Sequence, residues 1–219
     1  MRLRARLIIF DLDGTLLDAY ETIRANLNRA LRDLNQKPVD LKTVQAAVGM
    51  GPRQLLAHFV SAQNLPDALK FFQMHYEKNL FRGTRVYPGV RRTLFQLRAR
   101  GYRLALASNK PSIYTGPLLR HFHLETYFDA VLCGDQVVLP KPNPMMLREI
   151  FRRLRCPASK AVYVGDMTID GLTGRRAGVR TLCVLTGGYR RSQLLKEHPL
   201  KVMKDVRALL RLMDERAQA

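Results

Sequence analysis

Short apolar runs recur along the chain, and each ends on a polar turn. Leu7-Ile8-Ile9-Phe10 is the first and stops at Asp11; similar runs lie at Arg103 to Ala107, Ala130 to Cys133, Ala161 to Val164 and Arg180 to Leu185. An apolar run of this length without alternating polar positions reads as a strand buried on both faces, which makes the first run central in its sheet. Between the runs lie helix-like stretches: Val90 to Arg100 closed by Gly101, Pro111 to His121, Pro144 to Arg155, and Thr168 to Ala177 closed by Gly178. Glycine suits both closing positions because a helix C-terminal stop favours positive φ. Strands alternating with helices of this length predict right-handed βαβ units. The expected class is therefore α/β, a Rossmann-like parallel sheet covered by helices on both faces.

The alternation fails between residues 18 and 87. Four helix-like stretches occur there, at Ala19 to Leu34, Leu41 to Val48, Arg53 to Ala62 and Pro66 to Phe81, with no convincing strand among them. They predict a small all-helical unit, residues 18–85, inserted after the first strand into an α/β core of 1–17 and 86–219. Near the end, Val206, Leu209, Leu210 and Met213 recur at helical spacing within Asp205 to Arg216, predicting a helix that packs on the sheet.

Composition narrows the class without changing the fold. At 219 residues, 47% hydrophobic, the chain can close a sizeable core and is not a disordered tail. Its 37 basic against 18 acidic residues give a net charge of +19, which raises nucleic acid as a partner. The basic residues are spread along the whole chain, so a solvated basic surface is expected and no specific nucleic-acid partner. Cys133, Cys156 and Cys183 form no C-x-x-C pair, which argues against a disulfide scaffold or zinc ribbon and fits a reducing compartment. Met1 to Arg6 is basic, but the apolar run after it lasts only from Leu7 to Phe10. Neither a signal peptide nor a membrane span is expected, and the location expected is the cytoplasm.

The chemistry gathers where the strands end. Asp11-Leu12-Asp13-Gly14-Thr15 follows the first strand directly, so two carboxylates emerge at the edge where parallel α/β sheets bind ligands. On its own such a pentapeptide also reads as a polar turn. Ser108-Asn109 ends the second strand, and Gly165-Asp166-Met167-Thr168-Ile169-Asp170 ends the fourth. Lys141 stands in Leu139-Pro140-Lys141-Pro142-Asn143-Pro144, where prolines fix its backbone. Clustered carboxylates raise one another's pKa unless a cation keeps them ionised. Mg²⁺, a hard ion that joins a few carboxylates to phosphate and water, meets that need. The lysine and the hydroxyl are then available to phosphate oxygens that the metal leaves free.

These blocks, in this order and at these intervals, resemble the four motifs of the haloacid dehalogenase superfamily, over nearly the whole chain. Val86 to Gly188, with Tyr87-Pro88-Gly89-Val90 and Ser108-Asn109-Lys110-Pro111, is similar to the phosphoglycolate phosphatase subgroup. The insert, with Val44-Gln45-Ala46-Ala47-Val48-Gly49-Met50-Gly51, looks like that subgroup's small cap domain. The resemblance implies Mg²⁺-dependent hydrolysis of a small phosphate monoester, 2-phosphoglycolate being the best guess, by a monomer or homodimer. It implies that Asp11 is the nucleophile and that Asp13 protonates the leaving alcohol and later activates water. It further implies Mg²⁺ on Asp11, Asp166 and the backbone carbonyl of Asp13, with Ser108, Asn109 and Lys141 on the phosphate. Asp170 is implied to orient Lys141 or a metal-bound water. Met167, in place of a small polar residue, and Gly171 with Arg175 and Arg176 depart from the subgroup.

Other readings share parts of this pattern. A dehalogenase needs no proton for its leaving halide, so Asp13 favours phosphate chemistry. A phosphosugar mutase or pyrophosphatase would use the same core. A phosphoacceptor domain gathers similar groups after a later strand and lacks a helical insert, and a nucleic-acid binder would leave the motifs unused. Arg53, opening a helix after Gly49-Met50-Gly51-Pro52, is the candidate for a bidentate pair with a substrate carboxylate.

Overall fold

The computed structural model describes residues 3–215 and 217. The chain begins with β1 (Leu7–Phe10) and β2 (Leu17–Asp18), then runs through α1 (Tyr20–Asp33), α2 (Leu41–Ala47), α3 (Pro52–Ala57) and α4 (Leu65–Asn79). It returns through β3 (Arg85–Val86), α5 (Val90–Ala99), β4 (Arg103–Ser108), α6 (Ser112–His121) and β5 (Ala130–Cys133). It then forms α7 (Met145–Arg153), β6 (Ala161–Gly165), α8 (Thr168–Ala177), β7 (Arg180–Val184), α9 (Arg191–Leu195), β8 (Lys201–Met203) and α10 (Leu209–Leu212).

Six strands form one parallel sheet in the order β5-β4-β1-β6-β7-β8. Leu7 pairs with Arg103 on one side and with Ala161 on the other, so β1 is central, as its wholly apolar sequence predicts. Alternate side chains face opposite layers. Ile8, Phe10, Leu104, Leu106, Val162 and Val164 pack with Leu94, Leu97 and Leu118 from α5 and α6. Leu7, Ile9, Ala105, Ala107 and Tyr163 pack with Met146, Leu147 and Ile150 of α7. On that second face Gly174 lets α8 approach the sheet closely: a Cβ there would lie 1.9 Å from Thr181 Oγ1.

Chain order reverses across β1, which pairs with β4 on one side and β6 on the other. The carboxyl ends of these three strands therefore flank a switch-point crevice, the usual ligand edge of an open α/β sheet. The four helices α1 to α4 stand over that edge. Where they leave and rejoin the sheet, β2 and β3 pair antiparallel, Leu17 with Val86 and Asp18 with Arg85. Among the described residues no helix is long and apolar enough to cross a membrane.

Several elements differ from the sequence expectations. The β2–β3 ribbon was not expected, since two-residue strands carry no period to detect. Nor was β8, an edge strand whose Lys201 is exposed. The helix expected from Arg53 to Ala62 starts at Pro52 and stops at Ala57, where a polar turn around Ser61 and Asn64 takes over. The helix expected at Asp205 to Arg216 is a 3₁₀ turn at Val206–Ala208 followed by a single α turn at Leu209–Leu212. Arg216 lies outside the described residues. Met213 leaves the helix to bridge Leu3, while Val206, Leu209 and Met213 are buried as their spacing predicts.

Gly174→Ala should overpack the α8–β7 contact by about 1–3 kcal/mol, more than the ~1 kcal/mol alanine adds to a helix. Urea unfolding should show the loss, and adding Thr181→Ala should recover most of it. A single variant as stable as wild type would show that the close approach is not a packing constraint.

Candidate active site

Each strand end delivers one polar group to the crevice. Asp11 follows β1, its N–H donating to the Val164 carbonyl of β6 at 2.9 Å. Gly14, at φ 88°, then turns the chain so tightly that a Cβ would lie 2.1 Å from Asp166 Oδ2. The Asp13 to Leu17 turn is thereby pressed against the end of β6. Ser108 closes β4, Gly165 closes β6, and Asp166 begins the turn into α8.

The centre of the arrangement is Lys141, whose side chain is buried. Its ammonium donates to Asp11 Oδ1 at 2.8 Å, Asp170 Oδ1 at 2.8 Å and the Tyr163 hydroxyl at 3.1 Å, which uses all three protons. Asp170 Oδ2 accepts the backbone N–H groups of Asp166 and Met167 at the start of α8, and Tyr163 donates its hydroxyl to Asp170 Oδ1 at 2.6 Å. Asn109 fixes the lysine's backbone from β4: its carbonyl oxygen accepts Lys141 N–H, and its amide donates to the Lys141 carbonyl, both at 2.9 Å. The same amide donates to the carbonyl of Gly49 in the loop between α2 and α3.

Burial and the charge of Asp170 push the Asp11 carboxyl up to about 6 against the opposing pull of Lys141. Burial, with repulsion from Asp11 and Asp170, holds Asp166 well above the usual carboxylate range. Its two oxygens accept the hydroxyls of Thr15, at 2.8 Å, and Tyr20, at 3.1 Å. Asp11, Asp166 and Asp170 each offer a carboxylate oxygen within 4.8 Å of the others. Three buried carboxylates facing one ammonium leave negative charge in excess, and an all-oxygen donor set of this kind fits a hard divalent cation. Each oxygen of Asp170 already accepts two hydrogen bonds, whereas each oxygen of Asp166 accepts one, so Asp11 and Asp166 keep more lone pairs free to hold it.

Above this cluster lies an open cleft between the strand ends and the helical segment. Asp11, Asp13, Ser108 and Lys141 line its floor; Ile23, Val48, Leu55 and Phe72 line the opposite wall. Ser108 Oγ accepts the N–H of Lys110 at 3.3 Å, leaving its own proton available to a ligand. Asp13 Oδ2 accepts from Lys110 Nζ at 2.7 Å, while Asp13 Oδ1 is buried with no hydrogen-bond partner. Lys110 Nζ also donates to the hydroxyl of Tyr76, from α4, at 2.7 Å.

The structure thus brings Asp11, Asp13, Ser108, Asn109, Lys141, Asp166 and Asp170 to one edge, and it leaves Arg53 out. Pro52 and Leu55 of α3 turn toward the cleft, so helical geometry turns Arg53 and Gln54 outward, where both are exposed. Asn109, expected on the phosphate, lines the cleft, while its side-chain amide donates to the carbonyls of Lys141 and Gly49 and accepts from Lys141. Sequence reasoning missed Lys110, Tyr76, Thr15, Tyr20 and Tyr163. Thr15 and Lys110 adjoin the motif residues and had a signal in that adjacency; the tyrosines come from helix and strand positions that read simply as core.

A strand-end carboxylate held by a buried lysine, with a second carboxylate two residues on, makes this an α/β protein whose reactive groups sit at the switch point of its parallel sheet. Residues 8–184 match the haloacid dehalogenase-like hydrolases, and the chain belongs to that family. It is 35% identical over 214 residues to a phosphoglycolate phosphatase of Pseudomonas fluorescens, covering 94% of this chain and 78% of that protein. It is 37% identical over 188 residues to one of Nitrosospira multiformis, covering 82% of this chain and 83% of that one. The crystal structure of a predicted phosphoglycolate phosphatase from Haemophilus somnus superposes with a TM-score of 0.89 at 26% identity, covering 95% of this chain and 98% of that one. The protein is a phosphoric monoester hydrolase.

Lys141→Met should leave Asp11 and Asp170 buried without their cation. With divalent ions chelated, the variant should be about 3–5 kcal/mol less stable than wild type at pH 7.5. The Asp11 carboxyl, raised to about 6 by burial even with Lys141 beside it, then titrates further above its unfolded value, so the proton-bound native state recovers stability as pH falls, and the deficit should shrink at pH 5. A deficit that is absent or independent of pH in denaturant titrations would contradict the charge balance described.

Proposed function

We propose that the protein is a Mg²⁺-dependent phosphatase acting on a small phosphate monoester, 2-phosphoglycolate first among candidates, through an aspartyl phosphate on Asp11. The observation that carries this reading is the placement of Asp11 beside Lys141, with Asp13, whose buried Oδ1 has no partner, lining the same cleft. The curated relatives named phosphoglycolate phosphatase support the choice of substrate.

An oxygen of Asp11 attacks phosphorus and the ester P–O bond breaks. Asp13 Oδ1 gives its proton to the departing alkoxide, so the alcohol leaves neutral. Asp13 then takes a proton from water as the water oxygen attacks the phosphorus of the aspartyl phosphate, releasing inorganic phosphate and restoring Asp11. Splitting the displacement in two lowers each barrier. Lys141 offsets the charge on Asp11 and the phosphoryl oxygens, the Ser108 hydroxyl donates to one of those oxygens, and Asp170 keeps Lys141 in place. Asp11, Asp166 and the backbone carbonyl of Asp13 would hold Mg²⁺, whose chemistry when bound is to neutralise charge on the phosphoryl oxygens.

In this reading residues 18–85 form a cap hinged at the β2–β3 ribbon, and residues 1–17 and 86–219 form the core. Closing the cap excludes water from the floor of the cleft. The three cysteines are buried and unpaired, which supports a reducing, cytoplasmic setting.

A screen of small phosphate esters with and without Mg²⁺ tests the proposal. Chelation should abolish turnover, Mg²⁺ should restore it, and 2-phosphoglycolate should be among the best substrates. Mg²⁺ added to metal-free protein at pH 6 should also release protons, because burial pushes the Asp11 carboxyl up to about 6 and holds Asp166 well above the usual carboxylate range until a cation keeps them ionised. Turnover indifferent to chelation, or metal binding without proton release, would contradict it; preference for sugar phosphates would redirect the substrate.

A further inference from the structure

Lys110 is a buried ammonium that the reaction steps leave without a task. It lies two residues past Ser108, lines the cleft, and has a side chain only 6% exposed. Burial works against its charge, but Asp13 and Tyr76 more than offset this and hold its pKa above the ordinary lysine value. Resting on the phosphatase reading above, we propose that Lys110 and Tyr76 form the subsite that reads an anionic group on the alcohol side of the substrate.

The argument is one of unspent donors. Lys141 uses all three of its protons on Asp11, Asp170 and Tyr163, so it has none for a second anion. Lys110 uses two, on Asp13 and Tyr76. Tyr76 accepts from Lys110, and its own hydroxyl proton has no acceptor among the described residues. The third ammonium proton and the tyrosine hydroxyl proton are therefore adjacent and both unspent in the cleft. Burial raises the Tyr76 hydroxyl's pKa, so it stays a donor at neutral pH. Among the described residues no other cationic side chain than these two lysines lines the cleft, and Arg53 is exposed outside it. The opposite wall is apolar, so an anion entering there has few competing donors and little water.

Position sets the length of the substrate. Asp13 stands between the two centres: its Oδ1 serves the leaving oxygen, and its Oδ2 touches Lys110. Lys110 therefore reaches an anionic group carried close to the ester oxygen while the phosphate occupies the floor. The substrate class is thus phosphate esters of short hydroxy acids. The pair also joins the two parts of the site, since Lys110 follows β4 and Tyr76 belongs to α4, so the anion contacts both the sheet edge and the helical segment.

The test compares 2-phosphoglycolate with ethyl phosphate, which replaces the carboxylate by a methyl group, and reads the ratio of their kcat/KM values. Measured on one protein sample, this ratio is insensitive to a general loss of active enzyme. Wild type should favour the carboxylated ester, and Lys110→Gln should lower the ratio by about ten- to a hundredfold, the span expected for a hydrogen bond to a charged group. Tyr76→Phe, which keeps the ring, should lower it by about threefold to tenfold, and it carries the test if Lys110→Gln does not fold. A wild-type preference that survives within about twofold in the folded variants would overturn the subsite while leaving the phosphatase reading intact. A wild type with no preference for the carboxylated ester would overturn the choice of substrate and the subsite with it.

Discussion

The site depends on placing one buried ammonium among carboxylates that would otherwise repel each other. Lys141 loses its hydration when it is enclosed, and that cost is tolerable only if good hydrogen bonds replace every lost water contact. Asp11, Asp170 and Tyr163 do so, and each comes from a different part of the fold: the end of β1, the first turn of α8 and the middle of β6. The register of β1 against β6, the α8 start that ties down Asp170, and the Asn109 clamp on the lysine backbone must all be right together. Residual negative charge on Asp11 and Asp166 is what remains after Lys141 is satisfied. That surplus fits the same edge to a divalent cation and a phosphate.

The helical segment completes the site from the other side. The sheet edge supplies groups suited to phosphate and metal but little that would distinguish one alcohol from another. The helices add an apolar wall, with the hydroxyls of Tyr20 on Asp166 and of Tyr76 beside Lys110. Gly49 approaches Met167 so closely that a Cβ would lie 2.9 Å from its sulfur, and Gly188 comes as close to Gln45. The departure at Met167 thus gives the loop between α2 and α3 an apolar surface to rest on, in the turn that also carries Asp166.

What the sequence made legible follows from how strongly each feature constrains local pattern. β1 could be placed as the central strand because burial on both faces removes polar residues, and α8 could be bounded because Gly178 marks its end. The seven strand-end residues were legible because short motifs fix both residue type and spacing. The β2–β3 ribbon and β8 were not, since two or three residues carry no period and their pairing is a tertiary event. Arg53 was misplaced because the sequence shows that a helix starts there but not which face turns inward, and one residue of rotation decides that. The use of Asn109 as a backbone clamp, and of Lys110 with Tyr76 as a pair, arises between residues tens of positions apart. Nothing local records such contacts.

The central claim is that Asp11 becomes covalently phosphorylated during turnover. Its most direct test is to mix the Mg²⁺-loaded protein with substrate carrying labelled phosphorus, quench with acid within one turnover, and locate the label by borohydride reduction and peptide mass spectrometry. The account predicts label on Asp11, lost on a longer chase with unlabelled substrate and absent from Asp11→Asn. Label on another residue, or full turnover by wild type with no labelled protein at any time before product appears, would contradict it.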